Sequence, residues 1–189
     1  MVQAFLAVDQ STSATKAMLF SQHGELLDQV ALSHRQLYPQ AGWVEHDAEE
    51  IYQNFIAVAG DLLARRPELA AQVVSLSITN QRETYVVFDR ATGKPLHNAV
   101  VWLCRRGESI CRDLVAAGHE ERVHTLTGLK IDTYFPASKL AWLLAERPEL
   151  WKGPHQLDDF FETVHKFVPR SVTVIRQTIV DALNICLCP

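Results

Sequence analysis

Two oppositely charged residues, Arg82 and Glu83, stand side by side directly after the apolar run 73–79. A guanidinium and a carboxylate presented together offer donors and acceptors to the hydroxyl groups of a small polyol, and each charge-assisted hydrogen bond contributes about 1.5–3 kcal/mol. The same two residue types are also typical of a solvated surface ion pair, which contributes little. The pair alone therefore leaves a polyol site and a surface ion pair open.

A second polar segment, 9–16, contains Asp9, Thr12, Ser13 and Lys16 between two apolar runs. A tight turn of small hydroxylic residues exposes backbone N–H groups and lets a phosphate approach closely. An acid at the end of a strand can hold a metal-bound water, and a lysine can neutralise phosphate charge. Because these residue types are also common in ordinary turns, the segment leaves phosphate binding and a plain turn open.

The bulk properties narrow the class of protein. The chain has 189 residues, a formal net charge of −4 and a sequence pI near 6.0. This length suits one medium domain with an extension, and the acidic balance argues against a nucleic-acid binder. No run approaches the roughly 18 apolar residues that a membrane span needs, and the N-terminus lacks the basic start of a signal peptide.

The cysteines and histidines do not form a metal-binding pattern. The four cysteines contain no C-x-x-C pair, and His119 and His124 are five positions apart rather than four. We therefore expect no zinc site, reduced thiols and a cytoplasmic location. The cysteines are Cys104, Cys111, Cys186 and Cys188.

The first half of the chain predicts a sheet followed by a helix. Short apolar runs at 5–8, 15–20 and 26–32, with short polar connections, indicate an antiparallel meander. Asp47 then predicts a helix N-cap, with Glu50 at the capping-box position. The apolar stripe of that helix, which ends near residue 66, consists of Ile51, Phe55, Val58 and Leu62.

The second half predicts two strands and two helices. Strands are expected at 73–79 and 84–89, a helix over 106–117 closed by Gly118, and another helix beginning at Pro136. Three strands, a helix and a further strand indicate a mixed α/β fold rather than a doubly wound one. Neither a G-x-G-x-x-G nor a G-x-x-x-x-G-K-[ST] loop is present in the sequence.

Four segments in register carry a resemblance to a known family. They are AVDQSTSATKAMLF (7–20), GWVEHDAEEIY (42–52), SLSITNQRETYVVFDRATGKPLHNAVVWLCRR (75–106) and TGLKIDTYFPASKLAWLL (127–144). The chain resembles the N-terminal part of the glycerol kinases, within the FGGY family of carbohydrate kinases. The resemblance implies a ribonuclease-H-like (actin-like ATPase/sugar kinase) domain over 1–151, with a mixed sheet flanked by helices.

The resemblance also implies which residues bind ligands and what reaction they serve. The implied activity is ATP-dependent phosphorylation of glycerol to glycerol 3-phosphate, with ATP and Mg²⁺ as cofactors. Aromatic rings could equally belong to the core, but the resemblance favours a site. The implied glycerol-binding residues are Arg82, Glu83, Trp102 and Tyr134. Those implied for the nucleotide phosphates are Thr12, Ser13, Ala14 and Lys16, with Asp9 placing the metal.

The family pattern is not found after about Trp151. We expect 152–189 to be an unrelated helical tail, and the general-base aspartate to be absent, so that this chain alone phosphorylates glycerol negligibly. Two alternatives stay open: a non-catalytic polyol-binding or interaction module derived from an FGGY kinase, and another FGGY sugar kinase. The sequence leaves homo-oligomerisation open.

Overall fold

A computed structural model describes residues 3–89 and 92–150 of the chain. The chain divides into two compact units, the first formed by Met1–Leu37 with His46–Arg82 and the second by Tyr38–Glu45 with Glu83–Pro189. The predicted helical tail at 152–189 lies outside the described residues.

The first unit is built on a four-stranded mixed sheet. Strands β1 (Ala4–Gln10), β2 (Ala14–Ser21) and β3 (Leu26–Ser33) form the predicted antiparallel meander, which is confirmed. Strand β5 (Val73–Thr79) pairs with β1 in parallel, so the strand order is β3-β2-β1-β5. One parallel pair beside an antiparallel meander makes the sheet mixed, as expected from the sequence.

Helix α1 (Ala48–Arg65) covers the meander and is followed by the short helix α2 (Pro67–Ala70). The Asp47 carboxylate accepts hydrogen bonds from the first-turn backbone N–H groups, which confirms the predicted N-cap. The predicted capping box is wrong in its second half. The Glu50 carboxylate accepts from the backbone N–H and the Nε of Arg35, at 3.2 and 2.9 Å, because a cation binds it better than a neutral amide.

The core of the first unit lies between α1 and the three meander strands. Alternate residues of β1 and β2 point toward α1, and the helix contributes two residues of its predicted stripe. The buried residues are Leu6, Val8, Ala17, Leu19, Val30, Val58 and Leu62.

Strand β6 (Ala99–Val100) pairs with β4 (Glu45–His46) in a two-stranded sheet. The predicted strand at 84–89 is wrong, because the segment makes only isolated antiparallel bridges, Tyr85 to Val100 and Phe88 to Pro95. Proline has no backbone N–H to return a ladder hydrogen bond, so the pairing does not extend into a strand.

Three helices complete the described part of the second unit: α3 (Glu108–Ala116), α4 (Glu120–Thr127) and α5 (Pro136–Glu146), followed by a 3₁₀ turn at Pro148–Leu150. Proline occupies the first turn of α5, as predicted, and Gly118 follows α3 with a φ of 76°. No helix within 3–89 and 92–150 combines the length and apolar character needed to cross a bilayer.

A buried ion pair anchors the second unit. The Arg106 guanidinium donates to the Glu45 carboxylate at 2.5 Å and lies over the rings of Trp43 and Trp142, at 4.3 and 4.9 Å from their centroids. Asn98 Nδ2 donates to the other Glu45 oxygen at 2.9 Å. Both charged side chains are almost completely buried. The charge of Arg106 is therefore balanced by one carboxylate and two aromatic faces.

Candidate active site

The turn between β1 and β2 brings an acid and a cation together. Asp9 and Lys16 are direct partners across the antiparallel pair, so their side chains lie on the same face of the sheet. The Ser11 N–H and Oγ both donate to the Ala14 carbonyl at 2.9 Å, which closes the turn that contains Thr12 and Ser13. One carboxylate beside a short hydroxylic turn fits Mg²⁺, which proteins hold through one or two carboxylates and substrate phosphates.

The parallel pairing of β1 and β5 places a second loop at the same end of the sheet. Asp9 pairs with Thr79, and the chain beyond Thr79 turns tightly, with the Arg82 N–H donating to the Asn80 carbonyl at 3.1 Å. Arg82 is exposed. The segment 9–16 and the turn leading to Arg82 therefore lie at the same end of the sheet.

Glu83 has an unusual backbone conformation. Its φ of 67° lies in the left-handed region, and no other non-glycine residue in the described part of the chain has a positive φ. For a residue with a Cβ this conformation costs roughly 1–2 kcal/mol. Strain of this kind is concentrated at functional sites, where it aims a side chain.

Trp102 and Tyr134 form an aromatic pair in the second unit. Their ring centroids lie 5.5 Å apart with an interplanar angle of 61°. The backbone N–H of Trp102 donates to Thr84 Oγ1 at 3.2 Å. The segment that begins at Glu83 therefore runs beside the segment that ends at Trp102. Tyr134 is 43% exposed and Trp102 is half-buried, so the pair is an edge-to-face surface rather than part of the core.

A buried lysine, Lys139, binds the backbone of both residues of this aromatic pair. The Lys139 ammonium donates to the backbone carbonyls of Trp102 and Tyr134, at 3.1 and 3.2 Å, and reaches that of Val101 at 3.5 Å. The side chain is completely buried. Burial lowers the pKa of Lys139 to about 8, while the nearby negative charge of Glu83 acts in the opposite direction.

Lys139 was not among the residues predicted from the sequence. The signal that could have revealed it is its place in the apolar stripe of α5, one residue before the buried Leu140 and four before the buried Leu143. A lysine at an inward helical position needs hydrogen-bond partners, because an unpaired buried charge is too costly.

We expect Lys139→Met to lower the free energy of unfolding by about 1–3 kcal/mol, since the change leaves buried carbonyls without a donor while preserving length and packing. Chemical denaturation of the 189-residue chain measures this effect. Lys130→Met is the matched control, because Lys130 is exposed and pairs only with Asp132, at 2.7 Å. Equal losses for the two variants would contradict the positioning role of Lys139.

His46, in the first unit, is completely buried. Burial, together with the neighbouring His34, lowers the pKa of His46 to about 4, against the opposing effect of the Glu50 carboxylate. In the unfolded chain the His46 imidazole has a pKa near 6.5, so it binds a proton more readily there than in the folded chain. Stability should therefore fall as the pH drops from about 6.5 toward about 4.

We expect the free energy of unfolding to fall between pH 7 and pH 4 by about 2 kcal/mol more in the wild-type chain than in His46→Gln. The variant removes the titrating ring and retains one amide donor. Urea titrations at both pH values measure the difference. Parallel losses in the two proteins would show that another group causes the acid sensitivity.

The predicted site residues fall into two sets. Asp9 and Lys16 are brought together in the first unit, at the sheet edge from which the chain leads to Arg82. Trp102 and Tyr134 are brought together in the second unit, which also contains Glu83. Three predicted phosphate-binding residues remain. Thr12 and Ser13 lie in the turn between β1 and β2, and Ala14 is the first residue of β2.

Similarity to known proteins defines the family of this chain. The chain belongs to the FGGY family of carbohydrate kinases, whose N-terminal domain matches residues 4–182. It is 47% identical over 179 residues to a glycerol kinase of Symbiobacterium thermophilum and 48% identical over 179 residues to a glycerol kinase of Koribacter versatilis. Each alignment covers 95% of this chain and 36% of the relative, so the chain spans about a third of their length.

Solved structures confirm the predicted fold class. The crystal structure of Plasmodium falciparum glycerol kinase with ADP superposes with a TM-score of 0.72 at 34% identity, covering 84% of this chain and 31% of that one. Gluconate kinase from Lactobacillus acidophilus has a TM-score of 0.72 at 21% identity, covering 79% and 30%, and shows the shared fold alone. The family match runs past position 151, and the domain boundary there stays a prediction.

Proposed function

We propose that this chain supplies the glycerol-binding and phosphate-binding part of an ATP-dependent glycerol kinase. Arg82 and Glu83 bind the hydroxyl groups, and the face of Trp102 contacts the carbon backbone of the triol. Tyr134 adds a phenolic hydrogen bond. The glycerol kinases among the relatives at 47% and 48% identity favour glycerol over the sugars of other family members.

The phosphate-binding part of the proposal rests on the turn at 9–16. Thr12, Ser13 and Ala14 contact the nucleotide phosphates, Lys16 neutralises their charge, and Asp9 holds Mg²⁺ through its carboxylate. The metal, when bound, neutralises the charge that develops on the phosphate oxygens. In the reaction, a glycerol hydroxyl oxygen bonds to the γ-phosphorus while the bond from that phosphorus to the bridging oxygen breaks and ADP leaves. The hydroxyl proton passes to the general base, which the family resemblance places outside this chain.

The single observation that carries the proposal is the register of β1 with β5. Asp9 lies opposite Thr79, so the segment 9–16, which we call the phosphate turn, and the chain leading to Arg82 lie at the same end of the sheet. An acid and a lysine beside an arginine that binds a hydroxyl are the groups that phosphoryl transfer requires. With unpaired thiols at Cys104 and Cys111, we also infer a cytoplasmic location.

Calorimetric titration of the 189-residue chain with glycerol, xylulose and gluconate tests the proposal. We expect glycerol alone to bind, and Arg82→Ala to weaken it roughly 10–100-fold, because a charge-assisted donor is lost. Arg65→Ala is the control, since Arg65 lies in the last turn of α1 and its exposed side chain pairs with Asp61. Tighter binding of xylulose or gluconate would assign the chain to another sugar kinase of the family.

A further inference from the structure

A line of hydrogen bonds connects the two ends of the proposed site inside the first unit. The Gln36 side-chain amide donates to the Thr12 carbonyl at 2.7 Å. The Gln36 amide oxygen lies 2.7 Å from His46 Nε2, and His46 Nδ1 lies 3.2 Å from Gln81 Nε2. Thr12 belongs to the phosphate turn, and Gln81 immediately precedes Arg82.

The direction of every hydrogen bond in this line follows from one group. The Thr12 carbonyl can only accept, so the NH₂ of Gln36 must face it and the amide oxygen of Gln36 must face His46. Nε2 of His46 therefore carries a proton and donates. A neutral imidazole then has a lone pair on Nδ1, which accepts from the amide of Gln81.

The surroundings of His46 favour this neutral form. The ring is completely buried, and the ring of His34 packs against it edge to face at 4.7 Å between centroids. His34 Nε2 lies 2.8 Å from the same Thr12 carbonyl, where it donates a second hydrogen bond. The negative charge that acts on His46 is the Glu50 carboxylate, which Arg35 binds at 2.9 Å. Positive charge on the His46 imidazole would be opposed by the neighbouring His34.

We propose that His46 is a positioning residue that couples the phosphate turn to the Arg82 turn through Gln36 and Gln81. The functional significance of this coupling rests on the proposed function, in which the two turns bind the two substrates of one reaction. The coupling itself is a property of the chain. A shift of the Thr12 carbonyl moves Gln36, which moves the imidazole, which moves the residue next to Arg82.

Amide hydrogen exchange of the 189-residue chain tests the coupling without any ligand. Gln81→Met cuts the line at the Arg82 end, and we expect exchange in 9–16 to accelerate about twofold to tenfold. Gln36→Met cuts it at the other end and should have the same effect on 80–83. Gln53→Met is the control, since Gln53 is exposed on α1 and its side chain donates to Glu49 at 2.7 Å. Changes confined to the substituted end would overturn the proposal.

A measurement on the unmodified chain keeps the proposal testable if a variant does not fold. Nitrogen NMR of the imidazoles should show His46 neutral, protonated on Nε2 and unprotonated on Nδ1, at pH 7. A proton on Nδ1 would be incompatible with the line of hydrogen bonds, because Gln81 could not donate to it.

Glycerol titration links the coupling to function. Gln36→Met should weaken glycerol binding roughly threefold to tenfold, although Gln36 lies at the phosphate turn. Binding equal to wild type, while Arg82→Ala weakens it, would contradict the coupling and leave the proposed function standing. If the wild-type chain did not bind glycerol, the proposed function would fail, and hydrogen exchange would still decide the coupling.

Discussion

Replacement of Glu45 by alanine is expected to lower the free energy of unfolding by about 3–5 kcal/mol, since it leaves the buried guanidinium of Arg106 without its carboxylate. The Arg106 side chain is completely buried and that of Glu45 is 7% exposed. The rings of Trp43 and Trp142 exclude water from the cation. Urea denaturation at neutral pH, followed by circular dichroism, measures the loss.

An exposed ion pair of the same unit provides the control for Glu45. Arg105 Nη2 lies 2.9 Å from the Glu108 carboxylate, and both side chains are well exposed. Glu108→Ala should cost at most about 1 kcal/mol. If Glu45→Ala cost no more than Glu108→Ala, the burial of the Arg106 charge would not determine stability.

Replacement of Glu83 separates its proposed role in glycerol binding from the strain of its backbone. Glu83→Ala and Glu83→Gly both remove the carboxylate, so each should weaken glycerol binding tenfold or more. Only glycine accepts a φ of 67° without strain, so Glu83→Gly should be more stable than Glu83→Ala by about 1 kcal/mol. Calorimetric titration and thermal unfolding of both variants give the two quantities.

Two outcomes would contradict this account of Glu83. Equal stability of the glycine and alanine variants would mean that the left-handed backbone is not strained. Unchanged glycerol affinity in both variants would remove the carboxylate from the polyol site, whatever the stabilities show. Gly93, which also has a positive φ of 71° and stands in a turn of the second unit, offers the converse control, because Gly93→Ala should introduce the same strain.

Local patterns were enough to predict much of the fold. The meander follows from apolar runs separated by short turns, and α1 follows from an apolar stripe that starts at the cap Asp47. Each of these signals is contained within a few neighbouring residues. The prediction for Glu50 was wrong because its partner, Arg35, lies 15 positions away and local spacing cannot detect it.

The residues that support the site could not be predicted in the same way. Lys139 lies 37 positions from Trp102, and His46 lies 35 positions from Gln81, so each contact exists only after the chain has folded. The resemblance supplied Arg82 and Glu83 by position. It carried no information about the buried Lys139 and His46, since their contacts are with other residues of the protein.

The positions of the tryptophans, two of which stack on Arg106, have a practical consequence for spectroscopy. Of the four tryptophans of the chain, Trp43, Trp102 and Trp142 lie in the described part of the second unit, and the sequence of the first unit contains none. Intrinsic indole emission therefore does not report directly on the first unit, whereas far-ultraviolet dichroism senses both units. Superimposed melting curves from the two signals would reveal a single cooperative transition, and separated curves would reveal two.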